Sequence, residues 1–327
     1  MTKQIGLLSR RTSLLTAGLG ALFVLCWSSG FIGAKLGAED ASVPTILMWR
    51  FLPLALVLLP FLLARRSGPQ QLGARGITRQ VAVGALSQSG YLLTVYWAIA
   101  LGVSTGTTAL IDGIQPLVVA ALVGPLLGTA VVGRQWLGLV LGLAGVASVT
   151  WADATNVSSG TPWWAYAVPF GGMLCLVAAT FLERRATTST APLHALTIHC
   201  LTSAAIFTAM AVLAGEAIPP AATSFWVAMT WLVVLSTFGG YGLYWVLLRR
   251  AGVATVNSLM FLVPPVTTVW GATMFGEPLT AMTIGGLALA LVATLLVVAP
   301  RRESSRRDGQ RKRRNRPGNG AGRRRAH

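Results

Sequence analysis

The chain has 327 residues, of which 54% are hydrophobic and 11% charged, with a formal net charge of +17. So apolar a composition excludes a disordered chain. The charge excludes less than it suggests, because residues 301–327 alone carry a net +10 and the remainder carries +7.

After a short basic segment (residues 1–12), ten apolar stretches follow in order: residues 14–36, 43–64, 77–101, 105–128, 133–151, 162–182, 193–214, 225–248, 254–275 and 278–299. Each is about 19 to 25 residues long, enough at ~1.5 Å of rise per residue to cross a ~30 Å hydrocarbon core. A soluble domain would interrupt such runs with polar faces. The expected fold is therefore an all-α integral membrane protein of ten transmembrane helices.

With the N-terminus inside, Lys3, Arg10, Arg11, Arg65, Arg66, Arg75, Arg79, Arg134, Arg184, Arg185, Arg249 and Arg250 all fall on the cytoplasmic side. Lys35 is the one basic residue in the outer gaps, beside Glu39, Asp40, Asp153, Glu216 and Glu277. This bias predicts a multi-pass protein with both termini cytoplasmic. The Arg-, Gly- and Asn-rich tail, residues 301–327, has no apolar anchor and is expected to be disordered, attracted to anionic lipid headgroups rather than to nucleic acid. Cys26, Cys175 and Cys200 lie inside apolar stretches without CxxC spacing, so neither a disulfide framework nor a metal site is expected. No nucleotide-binding or cofactor motif occurs.

The ten stretches divide five and five at residues 152–161, giving segments 13–152 and 162–300. Tyr91 and Gly102-Val103 correspond to Tyr241 and Gly252-Val253 at a separation of 150, and Arg50 corresponds to His199 at 149. An odd number of helices per repeat turns the second copy over. Two inverted halves around a midplane site is the usual construction of secondary transporters.

Trp27-Ser28-Ser29-Gly30-Phe31, Trp49-Arg50-Phe51, Gln115-Pro116-Leu117, Arg134-Gln135-Trp136-Leu137-Gly138, Pro264-Pro265-Val266 and Gly276-Glu277-Pro278-Leu279-Thr280 occur in that order. On these blocks the chain resembles the drug/metabolite transporter superfamily, in its EamA or RhaT-like branch. The first repeat departs from the family's Gly-Glu signature, with Gly128-Thr129 in place of Gly276-Glu277. The resemblance implies an inner-membrane exporter or exchanger of small metabolites such as amino acids, working by alternating access, with no cofactor. It also implies a cavity among helices one to four and six to nine.

Charged groups at membrane depth are the informative ones, since each costs about 2.5–3.5 kcal/mol on insertion scales unless partnered. Arg50 and Asp112 are expected at similar depth. They form either a substrate site, with the carboxylate on Arg50 and the amine or a proton on Asp112, or a structural ion pair. Thr108, Asp112 and Gln115 share a helical face, followed by Pro116; Asn257 and Ser258 precede Pro264-Pro265 in the second half. These read as a polar stripe on a cavity, or as a hydrogen-bonded seam between helices. Tyr91, Tyr241 and Trp245 are expected to line the cavity, with Trp27 beside it as a gate; Trp97 suits an interfacial belt.

His199 is the second candidate for proton coupling, against the plainer reading of a histidine held by a neighbour. Glu277 before Pro278 reads as the acidic start of the last helix. Gly138 and Gly142 favour close packing inside the protomer and leave a homodimer open. Two rival functions stand beside the carrier. One is a passive channel. The other is an intramembrane serine protease, because Gly102-Val103-Ser104-Thr105-Gly106 matches G-x-S-x-G, although a short link between two spans is not the strand-to-helix turn that motif needs.

Overall fold

The computed structural model describes residues 2–64, 73–127, 133–155, 160–185 and 190–298. The basic tail and Gly128-Thr129 lie outside the described residues. Every described element is helical. In chain order the α-helices are α1 (Thr2–Ala38), α2 (Val43–Ala64), α3 (Ala74–Gly84), α4 (Tyr91–Ala100), α5 (Thr105–Gly113), α6 (Gln115–Leu127) and α7 (Gly133–Ala154). Then come α8 (Val168–Arg184), α9 (Pro192–Leu213), α10 (Thr223–Trp231), α11 (Gly242–Met260), α12 (Val263–Phe275) and α13 (Ala281–Val298).

Eight helical stretches among the described residues are long and apolar enough to cross a bilayer, and 281–296 forms a shorter apolar helix. That is the all-helical membrane fold, with a smaller number of qualifying spans than the ten apolar stretches of the sequence. The third stretch carries Ser87-Gln88-Ser89 in its middle, which lowers its hydropathy. α1 also starts at Thr2, well before the apolar run.

Three irregularities of the helical run recur about 150 residues apart. A π-helical segment, Ala85–Gly90, joins α3 to α4, and another, Leu232–Tyr241, joins α10 to α11. Gly102 and Gly252 both adopt positive φ, 103° and 82°, a region closed to side chains with a Cβ. Helical continuity is also lost at Ile114, just before Gln115-Pro116, and at Phe261-Leu262, just before Pro264-Pro265. Proline removes a backbone donor, so each helix restarts with its proline in the first turn, where no partner is needed.

The packing pairs follow the same duplication. α1 lies against the second π segment, and α8 packs on α4 and the first π segment; α2 packs on α9, and α5 on α12. One apolar core gathers Phe23, Phe51, Phe207, Phe225 and Leu232, and a second gathers Ile111, Ile114, Leu117, Val177 and Leu287. Outside, Leu56, Val57, Leu213 and Ile218 are exposed, as suits hydrocarbon contact. Trp97 and Trp151 are also exposed near helix ends, where indole rings favour the headgroup level.

Close approach sets two glycines. A Cβ on Gly106 would lie 2.9 Å from Thr268 Cβ and 3.0 Å from its Cα, so α5 and α12 touch nearly backbone to backbone. Gly145 and Gly286 do the same for α7 and α13, each Cβ position falling within 2.7 Å of the other residue's carbonyl oxygen. Gly142 packs on Leu117 within the chain. Gly106→Leu is expected to destabilise the protein by about 1–3 kcal/mol or more, because neither backbone can retreat. Thermal denaturation of the solubilised protein, compared with Gly18→Leu, where nothing lies within 4 Å, checks this.

Candidate functional site

A cavity of about 50 Å³ lies where α1, α2, α4 and the second π segment converge. That is room for roughly four waters. α1 contributes Trp27, Gly30 and Phe31, whose i, i+3, i+4 spacing puts them on one face. α4 contributes Tyr91, Leu92, Val95 and Tyr96, again one helical face. The π segment contributes Ser236 and Tyr241. Its widened turns re-aim side chains that a regular helix would carry past the site.

Arg50 on α2 is the charged group in the lining. It is 4% exposed. Its Nη1 donates to the Tyr96 hydroxyl, and its Nη2 to Ser236 Oγ at 3.1 Å and Thr237 Oγ1 at 3.3 Å. The guanidinium also lies 5.4 Å from the Phe51 ring and 5.9 Å from the Tyr96 ring. Its buried Nε has no partner. Among the described residues the two ion pairs are Lys35–Glu277 and Arg79–Glu183, so no carboxylate neutralises Arg50.

Asp112 is not that carboxylate. Its Oδ2 accepts from the Tyr91 hydroxyl at 2.8 Å, while its Oδ1 is buried without a partner. Equal depth on two helices fixes height but not direction about each axis, and Tyr91 stands between the cavity and Asp112. The structural Arg50–Asp112 ion pair is therefore absent. The carboxylate is placed one hydrogen bond behind the cavity wall.

The other sequence candidates divide clearly. Trp27, Arg50, Tyr91 and Tyr241 meet in the cavity, with Trp27 and Tyr241 in an edge-on contact at 5.5 Å. Trp245 packs edge-on against Tyr244, outside the lining. Gln115 donates to Thr180 Oγ1 on α8 at 3.2 Å, because the break at Ile114 takes it off the face of Thr108 and Asp112. Thr108 turns back on its own helix, to Ser104 O. Asn257 is exposed. His199 Nε2 lies 2.9 Å from Gln80 Oε1, and Gln80 in turn donates to Glu183 and Thr190.

Tyr96, Ser236 and Thr237, the groups that hold the guanidinium, escaped the sequence reading. The helical spacing of Tyr96 after Leu92 was a usable signal; nothing in the sequence marks a π turn at Ser236.

Glu277 also departs from expectation. Its helix begins only at Ala281, so it does not open α13. Instead Glu277 accepts from Lys35 Nζ at 2.6 Å, from Thr105 N at 3.0 Å and from Thr105 Oγ1 at 2.7 Å. It thus serves the N-terminus of α5, where the helix dipole also favours an anion. Ser104, the serine of the hydrolase-like motif, caps that same helix: its Oγ accepts from the Thr107 N–H at 3.2 Å, and its own N–H donates to Asp153 at 3.0 Å. Both contacts are structural.

The sequence pattern of the EamA-like transporter family matches residues 14–151 and, a second time, residues 163–299. The chain belongs to the EamA-like transporter family. It is a membrane transporter, then, and not an enzyme. Among similar EamA-type relatives, YedA of Escherichia coli K12, described as an uncharacterized inner membrane transporter, is 26% identical over 286 residues, covering 85% of this chain and 89% of YedA. The chloroplastic WAT1-related protein At3g02690 of Arabidopsis thaliana is 26% identical over 210 residues, 60% of this chain and 49% of that protein. A crystal structure at 17% identity shares the fold, with a TM-score of 0.57 over 88% of this chain and 98% of the other.

Proposed function

We propose that the chain is a secondary carrier, working as an exporter or exchanger of small carboxylate-bearing metabolites, the family's amino acids among them. It sits in the inner membrane with both termini cytoplasmic, and two inverted five-helix halves expose the Arg50 cavity to either side in turn. The reading rests above all on one observation: Arg50 is buried in an aromatic cavity with no carboxylate partner among the described residues. A charge held that way is costly unless a ligand supplies the opposite one.

The duplicated family match and the paired π segments, positive-φ glycines and proline breaks support the two-halves reading. Residues 13–152 and 162–300 are the two halves in it. The location of YedA supports the membrane. Gln115, Asn257 and Trp245, outside the cavity lining, belong to the solute path in this reading. Asp112, reached through the Tyr91 hydroxyl, carries the coupling proton; His199, already bonded to Gln80, is the lesser candidate.

Flux in proteoliposomes with and without a pH gradient tests the coupling. Uptake is expected to accelerate with the gradient, and Asp112→Asn to abolish that acceleration while exchange down a concentration gradient continues. Flux indifferent to pH and without counterflow would mean a passive channel.

A further inference from the structure

Within that carrier reading, we propose that the cavity recognises the carboxylate of its substrate and offers an amine no charged acceptor. Its preferred class is then a small organic monoanion with an apolar or aromatic body, ahead of the corresponding α-amino acid.

The polar groups around the guanidinium are oriented toward an anion or occupied. Arg50 supplies the charge, with an Nε free of protein partners. The hydroxyl oxygens of Tyr96 and Ser236 accept from that same guanidinium, which turns their protons away from it and toward any further acceptor. The Tyr91 hydroxyl spends its proton on Asp112. Phe31, Leu92 and Val95 complete the wall without a polar atom.

An ammonium needs an acceptor of negative charge, and among the described residues no acidic side chain lines the cavity. Asp112 is the nearest candidate by hydrogen-bond connection, but it lies outside the lining, with Oδ2 held by the Tyr91 hydroxyl and Oδ1 buried. Aromatic faces alone can hold a cation. Here the guanidinium already lies near the Tyr96 ring of the lining and the Phe51 ring outside it. A second cation in the same low-dielectric space meets repulsion from the first. A monoanion meets a complementary charge and pairs the guanidinium.

The test uses the purified full chain and matched probes: 3-phenylpropionate against phenylalanine, and 4-methylpentanoate against leucine. Thermal stabilisation is titrated for wild type, Arg50→Gln and Arg50→Lys. At least one acid is expected to stabilise the protein at about tenfold lower concentration than its amino-acid partner. Arg50→Gln is expected to weaken that acid about tenfold to a hundredfold, the usual span for a hydrogen bond to a charged group, and Arg50→Lys to retain part of the effect. The proposal is overturned if no acid stabilises, if the amino acid matches or exceeds its acid, or if the effect survives in Arg50→Gln. Failure of the carrier reading itself would show elsewhere, in thiol labelling of Ser236→Cys from the two sides of a vesicle, which needs no ligand.

Discussion

Arg50→Gln is expected to abolish transport, by about a hundredfold or more, while leaving the protein as stable as before or more so. The usual penalty for removing a buried charge comes from stranding its counter-ion, about 3–5 kcal/mol. Among the described residues there is no counter-ion to strand, since the guanidinium bonds hydroxyls there. Thr237 already bonds Leu232 O at 3.0 Å and keeps that bond. Relief of the buried charge works in the opposite direction, by up to ~2.5–3.5 kcal/mol on insertion scales. Stability kept and function lost is the signature of a charge retained for its ligand. Arg50→Lys restores little transport, because an ammonium lacks the planar fork that reaches Tyr96 on one side and Ser236 on the other. Denaturation midpoints and proteoliposome flux, measured on the same preparations, check both halves. A variant that fails to fold would make Arg50 a structural residue.

Glu277→Ala is expected to have the opposite profile, a large loss of stability. It strands the Lys35 ammonium, the Thr105 N–H and the Thr105 hydroxyl together. The Glu277 side chain is 7% exposed and that of Lys35 27%, so the pair is mostly desolvated and the expected cost is about 3–5 kcal/mol. Gln at this position keeps one acceptor for Thr105 and loses less. A double-mutant cycle with Lys35→Met and Glu277→Gln isolates the pair, with a coupling of about 1–3 kcal/mol expected. The cluster ties α1 and α5 to the link between α12 and α13, and thus one family-matched segment to the other. A coupling near zero would remove it as a clasp between the halves.

How much of this was legible in the sequence depended on whether a feature is local or azimuthal. Apolar runs announce helices in lipid, and glycines repeated 150 residues apart marked two turns that do share positive φ. The family resemblance was carried by short blocks, and the family pattern covers both segments. Rotation about a helix axis was not legible. Arg50 and Asp112 have the same depth on paper, yet Tyr91 separates them. Gln115 lies three residues past Asp112, but the intervening break sends it to Thr180. Two π segments shift the register of the helices they interrupt, and hydropathy does not reveal that change of pitch. Glu277 was misplaced for a related reason: Pro278 suggested a helix start, whereas the backbone stays irregular to Thr280 and its carboxylate serves a helix far away in sequence.

The central claim is a single buried cavity reached from either side in turn, and Ser236→Cys reports on it most directly. In a chain with Cys26, Cys175 and Cys200 replaced by alanine, an impermeant thiol reagent is expected to label this position from outside and from inside. A Lys35→Cys, Glu277→Cys crosslink is then expected to block labelling from outside alone. Labelling confined to one side without the crosslink, or from both sides with it, would contradict alternating access.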